Sequence, residues 1–318
     1  MHVPLGPGRE FDRIRAIAER LGSRASGLGD DCVRVPEGDG SLVLSTDTSI
    51  EEVHFRRSWL SPEEIGWRAA MAALSDLAAA GATPFGVLAA VTTPDGEGEP
   101  ERLMGGIGDA VNEFGGVVLG GDLSRGVVLS LTLTVIGRAL RPTSRRGGVA
   151  GDSLWVTGTL GGPRAAVTQW RAGRTPDPLA RQAFARPMAR IAGGSWLARH
   201  GAHAQIDVSD GLAGDVRHLA AAGGVGVEIL LEDLPLHPSV AGAAALVGEA
   251  PEAFAAQGGE DFEILAALPG SFGAADARRF RQETGVGLTR IGNLAAGTEV
   301  RLLLRGSALE LTGFDHFR

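Results

Sequence analysis

The sequence has no lysine, no tyrosine and only one cysteine, Cys32. Each absence removes a class of chemistry. Without lysine there is no Schiff-base nucleophile, no phosphate-gripping lysine of a Walker loop and no strand lysine of the protein-kinase type. If such a chain handles phosphate, it must use arginine, backbone N–H groups or metal. A single cysteine allows no internal disulfide, so a cytoplasmic location is the expectation. Cys32 itself reads as a small packing residue. The histidines and the cysteine do not fall into zinc-ligand spacing. No apolar run reaches the roughly 18 residues of a bilayer span, and the opening "MHVPLGPGREFDRIR" lacks the apolar core of a signal peptide. No membrane partner is therefore expected. The net charge of -8 argues against a nucleic acid held on a basic surface.

Glycine, by contrast, is abundant. The 48 glycines among 318 residues are about twice the usual share of roughly 7%. They cluster at turns such as "GLGD", "GGVVLGGD", "RRGGVAGD", "TGTLGG" and "GGED". Some are ordinary helix stops, as at Gly81. Clusters that end repeatedly in aspartate ask for another explanation.

The elements alternate. "REFDRIRAIAERL" has helical spacing at Phe11, Ile14, Ile17 and Leu21. "SPEEIGWRAAMAALSDLAAAG" is a strong helix: Ser61 as N-cap, Pro62 at the first position, Glu64 completing a capping box, and Gly81 as the stop. Strands are expected at "SLVLSTDTSI", "FGVLAAVTT", "GVVLGGD" and "VVLSLTLTVIGRAL", with a helix at about 99–114. The Arg- and Gly-rich break "RPTSRRGGVAGD" divides the chain into domains of residues 1–147 and 148–318. The second half predicts helices at about 161–172, 178–199, 238–256 and 273–284. Its strands fall at "SLWVT", "AQIDV", "VGVEILL", "FEILAAL" and near 288–304. Helices and strands mixed in both halves imply two α/β (α+β) domains.

The carboxylates repeat one pattern. Asp30 and Asp31 follow "GLG". Asp47, Asp122, Asp207 and Asp210 follow strands. Asp76 sits near the C-terminal end of its helix, where the macrodipole disfavours a negative charge. Singly, each has an ordinary reading as a turn residue, an N-cap or a solvated side chain. Together they suggest Mg²⁺, a small hard cation held by a few carboxylates, waters and substrate phosphates. Ser45 and Thr46 add oxygens beside Asp47. Several Mg²⁺ imply a heavily anionic substrate pair, and phosphoryl transfer from ATP fits, since its catalysis is mostly positioning and charge neutralisation. No Ser or Cys is paired with a neighbouring His as an activated nucleophile requires, so no covalent nucleophile is expected.

The blocks "GLGDDC", "LSTDTSIEEVHF", "AALSDLAAAGATP", "VLGGDLSRG", "SRRGGVAGDSLWVTGTLG", "IDVSDGLAGDVRHL", "GGEDFEIL" and "GFDHF" occur in an order and spacing that resemble the thiamine-monophosphate kinase family, over nearly the whole chain. The resemblance implies the two-domain aminoimidazole-ribonucleotide synthetase-like fold, with N-terminal sheets forming a homodimer interface. It also implies phosphorylation of thiamine monophosphate to thiamine diphosphate, with ATP as co-substrate and several Mg²⁺. By the same resemblance Asp30, Ser45, Thr46, Asp47, Asp76, Asp122, Asp207 and Asp210 match metal positions. Gly121, Asp122, Arg145 (or its neighbour Arg146) and Ser209 match nucleotide positions. His54, Glu260 or Asp261, and Phe314 match the substrate side. Two alternatives remain open: another ATP-dependent synthetase of the superfamily, and a non-catalytic nucleotide-binding relative. Selenophosphate synthetase would be expected to use a reactive Cys and a nearby Lys, and lysine is absent here.

Overall fold

The structure is a computed structural model that describes residues 16–24, 38–94 and 99–314. The chain forms two compact units. The first runs to Leu77 and resumes at Ala82–Leu140; the second takes Ala78–Gly81 and everything from Arg141 onward.

The first unit contains strands β1 (Ser41–Ile50), β2 (Thr83–Thr93), β3 (Val117–Arg125) and β4 (Ser130–Ala139), with helices α1 (Pro62–Ala79) and α2 (Glu99–Asn112). The capping box forms: Ser61 N–H donates to Glu64 Oε2 at 2.9 Å, and Glu64 N–H to Ser61 Oγ at 3.3 Å. Gly81, at φ +69°, ends the helix as expected. Helices α1 and α2 meet backbone to backbone. A Cβ on Gly66 would lie 2.0 Å from the Leu103 carbonyl oxygen, and one on Gly106 would lie 2.0 Å from that of Glu63. Ile65, Met71, Leu74, Leu77, Leu103 and Ile107 of these two helices are buried.

The four strands run in the order β1-β4-β2-β3. The first three pair antiparallel, and β3 adds parallel to β2. Alternation sets the two faces apart. Val87, Ala89 and Val91 of β2 and Leu131, Leu133 and Val135 of β4 are buried, while Leu42 and Leu44 on β1 are 44% and 55% exposed. The sequence pattern suggested that Asp47, Asp122 and Asp207 follow their strands; instead all three lie inside them, because β1 continues to Ile50, β3 to Arg125 and the strand Ala204–Val208 past Asp207.

The second unit is a mixed seven-stranded sheet with the order β11-β10-β7-β9-β5-β8-β6. Its strands are β5 (Ser153–Thr157), β6 (Ala204–Val208), β7 (Gly226–Leu230), β8 (Glu263–Leu268), β9 (Leu288–Ala295), β10 (Val300–Leu304) and β11 (Ser307–Ala308). Strands β5, β6 and β8 are buried along their whole length, as strands covered on both faces are. The helices are α3 (Gly162–Arg171), α4 (Pro178–Ala185), α5 (Ile191–Arg199), α6 (Leu212–Gly223), α7 (Val240–Val247), α8 (Pro251–Ala256) and α9 (Ala274–Thr284).

Two expected long helices are each broken in two. Pro187 lacks an N–H and restricts Arg186 before it, so the 178–199 stretch divides into α4 and α5. Gly248, at φ +71°, and Pro251 divide 238–256 into α7 and α8. The first break has a use. Arg190, just ahead of α5, donates to buried Glu263 through Nε at 2.7 Å and a terminal nitrogen at 2.6 Å. Thr157 Oγ1 donates to the same carboxylate at 2.6 Å. No helix among the described residues is long and apolar enough to cross a membrane.

Candidate active site

In the first unit Ser45, Asp47 and Asp76 lie on β1 and α1, while Asp122 lies on the far edge strand β3. Ser45 Oγ on β1 donates to Asp76 Oδ2 on α1 at 2.5 Å. That contact supplies the partner that a carboxylate at a helix C-terminus needs. Asp47, two residues along, falls on the same side of β1, and its Oδ1 accepts the Thr48 N–H at 2.7 Å. Thr46 points the other way, its Oγ1 lying 2.8 Å from Thr134 Oγ1, so its hydroxyl is not beside the Ser45 hydroxyl and the Asp47 carboxylate. Asp122 is exposed on β3, where Ser124 Oγ donates to it at 2.8 Å. The register places it on the rung of Ala90, Thr132 and Thr48, one rung from Asp47. Strands β1 and β3 are opposite edges of the sheet, so three strand spacings of about 4.8 Å separate the two aspartates laterally by roughly 14 Å. Gly121, next to Asp122, has φ +158°, and a Cβ there would sit 1.8 Å from the Ala89 carbonyl oxygen. Asp30 lies outside the described residues.

His54 closes the turn after β1. Its Nδ1 accepts the Ile50 N–H at 3.0 Å, and its own N–H donates to the Ile50 carbonyl at 2.9 Å. An accepting Nδ1 puts the ring proton of the neutral imidazole on Nε2.

In the second unit the chemistry gathers at the Ser209–Asp210 turn, between β6 and α6. An N-cap role for Asp210 is not what the structure shows: the N-cap is Gly211, with no side-chain cap bond. The turn is held by four hydrogen bonds from three residues. Asp215 Oδ2 accepts both the Ser209 N–H at 3.1 Å and the Asp210 N–H at 3.2 Å. The Ser209 carbonyl accepts the Glu260 N–H at 2.7 Å, and the Asp210 carbonyl accepts the Phe314 N–H at 2.8 Å. Two expected substrate-side residues thus hang on the carbonyls of the expected nucleotide and metal residues. Asp207 is buried one step earlier on β6.

Asp215 escaped the sequence reading, although it ends the "SDGLAGD" segment, because at its position it reads as an ordinary first-turn helix acid. Burial, and then the charges of Asp207 and Asp210, push its carboxyl up to about 8. Raised that far, the Asp215 carboxyl holds its proton at neutral pH.

Of the pair Glu260 and Asp261, the geometry distinguishes the two. Asp261 is buried, and both its oxygens accept the Gly161 N–H, at 2.9 and 3.0 Å, ahead of α3. Burial holds its carboxyl well above the usual range. Glu260 is half-buried, and it and Phe262 adopt positive φ, +69° and +51°, a strained conformation for non-glycine residues.

Arg145 and Arg146 are both exposed. Their segment is tied to the start of β6: Gln205 N–H donates to the Ser144 carbonyl at 3.0 Å. A Cβ on Gly147, at φ +112°, would meet the His203 carbonyl at 2.4 Å. Asp152 anchors the far end, accepting the Val149 N–H at 2.9 Å and lying 2.9 Å from His203 Nδ1.

Among the described residues no group of three or more His, Cys, Asp or Glu closes as a metal cage. Mg²⁺ does not require one, since substrate phosphates and water complete its shell. The donors present are all oxygens, which fits Mg²⁺ and not zinc.

Residues 29–139 match the family model described as AIR synthase related protein, N-terminal domain. Thiamine-monophosphate kinase of Aquifex aeolicus is 33% identical over 314 residues, covering 97% of this chain and 98% of the relative. The chain belongs to the thiamine-monophosphate kinase family. The Escherichia coli K12 kinase is 36% identical over 327 residues, covering 97% of this chain and 96% of the relative. Among solved structures, AaThiL complexed with AMPPCP and TMP is similar with a TM-score of 0.77 and 32% identity, covering 97% of each chain. The hydrogenase maturation protein HypE in complex with ATP shares the fold, with a TM-score of 0.79 at 18% identity. The membership fixes the two-domain kinase architecture. The capping explanation fails for Asp210, whose helix is capped by Gly211, whereas Asp76 has an ordinary polar partner in Ser45.

Proposed function

We propose that this chain transfers the γ-phosphoryl group of ATP to the phosphate of thiamine monophosphate, by direct in-line displacement. The observation that carries the reading is the near-full-length likeness to AaThiL complexed with AMPPCP and TMP. AMPPCP is an ATP analogue with a non-cleavable β–γ link.

Several Mg²⁺ would be held by Asp47, Asp76 with Ser45, Asp122, Asp207 and Asp210, with Asp30 and Thr46 completing the expected set. Bound there, Mg²⁺ supplies charge neutralisation on the β- and γ-phosphates and on the acceptor phosphate. The residues of the chain do the remaining work. Gly121 lets backbone approach closely, Arg145 grips phosphate oxygens, and Ser209 offers its hydroxyl to the nucleotide. On the acceptor side, the Nε2–H of His54 and the carboxylate of Glu260 orient the substrate, and Phe314 stacks on its rings. Asp261 is engaged with Gly161, which favours Glu260 as the contact. The acceptor oxygen already carries negative charge, so it needs positioning rather than a general base.

The active unit is a homodimer. A second copy against the open face of the first sheet would cover Leu42 and Leu44. Asp47 and Asp122, on opposite edges of one sheet, are too far apart to share an ion within a chain. The N-terminal domain, 1–147, is the nucleotide, metal and dimerisation module, and the protein acts in the cytoplasm.

Two measurements test this. ADP release from ATP and Mg²⁺ should depend on added thiamine monophosphate; release indifferent to it would favour a nucleotide sensor or another synthetase. Transfer of a chiral γ-phosphoryl group should invert configuration, whereas retention would require a phosphorylated enzyme.

A further inference from the structure

The C-terminal tail touches the second unit at three successive points. Arg217 on α6 donates to the Leu311 carbonyl at 3.3 Å. Gly313 packs directly on Gly214, in the first turn of α6: a Cβ on Gly214 would lie 3.1 Å from Gly313 Cα. A Cβ on Gly313 would lie 2.9 Å from both Gly214 Cα and the Asp210 carbonyl oxygen. Phe314 N–H then donates to that same carbonyl at 2.8 Å. Leu311 is buried, while Phe314 is 54% exposed. The tail's backbone is thus pinned to the Ser209–Asp210 turn through Phe314 itself, which is half exposed.

A glycine at position 214 is not explained by the helix it sits in. Alanine is the better helix former, and Gly214 has no positive φ. What its missing Cβ permits is the contact with Gly313. That contact brings the tail close enough for Phe314 to bond Asp210.

We infer that Gly214 and Gly313 are positioning residues for the acceptor: together they set the height of the Phe314 ring over the Ser209–Asp210 turn, and so the affinity for the ring end of the substrate. The inference rests on the proposed stacking of Phe314. A methyl group at either glycine must displace the tail by a few tenths of an ångström or more, and stacking energy falls off over such distances.

The test is steady-state kinetics on the full chain, with thiamine monophosphate and ATP varied in turn. Gly214→Ala should raise the KM for thiamine monophosphate several-fold, with the KM for ATP nearly unchanged. Its ligand-free melting temperature should not fall, because Ala favours the helix. Gly313→Ala should act in the same direction and more strongly. In a Phe314→Ala background, Gly214→Ala should add nothing to the KM, because both act through one ring. Two results overturn the inference while leaving the ring reading intact. One is that Phe314→Ala raises the KM for thiamine monophosphate and neither glycine variant does. The other is that the effects of Gly214→Ala and Phe314→Ala multiply independently. If Phe314→Ala itself leaves that constant unchanged, the ring reading fails, and the inference with it.

Discussion

Replacing Asp215 separates two roles that a buried carboxylate can have next to the proposed metal residues. Its Oδ2 takes the N–H groups of Ser209 and Asp210, at 3.1 and 3.2 Å. In Asp215→Ala both donors lose their acceptor in a partly buried turn. At about 1–2 kcal/mol for each unsatisfied group, the loss is roughly 2–4 kcal/mol. For a domain of about 150–250 residues, each kcal/mol shifts Tm by about 2–4 °C, so Tm should fall by about 5–15 °C. Turnover should fall at least ten-fold even at temperatures where the variant is folded, because the turn places Ser209 and Asp210, and a misplacement of about 1 Å can cost about 100-fold. Asp215→Asn is the informative partner. Its carbonyl oxygen has two lone pairs and can accept both N–H groups, while the repulsion with Asp207 and Asp210 disappears. Asn should therefore melt at or above the parent temperature without ligand and keep turnover within a few-fold. The assays are thermal melts without ligand and initial rates at saturating ATP and Mg²⁺. An Ala variant that melts with the parent would refute the claim that Asp215 holds the turn. An Asn variant as inactive as Ala would make the carboxylate itself a metal ligand.

Three further outcomes are expected. Asp47→Asn and Asp122→Asn should each lower turnover about 100-fold, on the order of 3 kcal/mol of transition-state stabilisation, without lowering the ligand-free Tm; near-normal rates at low Mg²⁺ would remove that residue from the metal set. Arg190→Met leaves Glu263 buried with only Thr157 as a side-chain partner, a loss of about 3–5 kcal/mol, and adding Glu263→Leu should recover much of it in denaturant melts; equal stability of Arg190→Met and the parent would contradict the pairing. The Asp261 carboxyl is raised in the folded state, so its contribution to stability is full below the unfolded value of about 4 and is lost as pH rises toward the folded one. Asp261→Asn keeps an acceptor for Gly161, so the Tm difference between variant and parent should grow in the variant's favour from about pH 4 upward, and a constant difference would refute the assignment.

Local signals carried well into the fold where one residue type governs one structural event. The Ser61, Pro62 and Glu64 start and the Gly81 stop of α1 are such cases. Signals that depend on distant packing did not carry. The 178–199 and 238–256 stretches keep helical periodicity across Pro187 and Gly248, and only the turn of Arg190 toward Glu263 gives the first break its purpose. At the candidate site, the direction of side chains was not legible in the sequence. Thr46 and Ser45 are adjacent in sequence yet on opposite faces of β1. Asp261 and Glu260 look interchangeable in "GGED", yet one is sealed against Gly161 and the other is not. Asp215 was hidden because its work is done through backbone N–H groups that no side-chain pattern announces.

The most direct test of the central claim is the product formed from each acceptor. With ATP and Mg²⁺, the protein should convert thiamine monophosphate to thiamine diphosphate, resolved by chromatography alongside stoichiometric ADP, and should hardly act on free thiamine. An acceptor already bearing phosphate is what the proposed site of aspartates and Mg²⁺ is suited to hold. Robust phosphorylation of thiamine with none of the monophosphate would contradict the account.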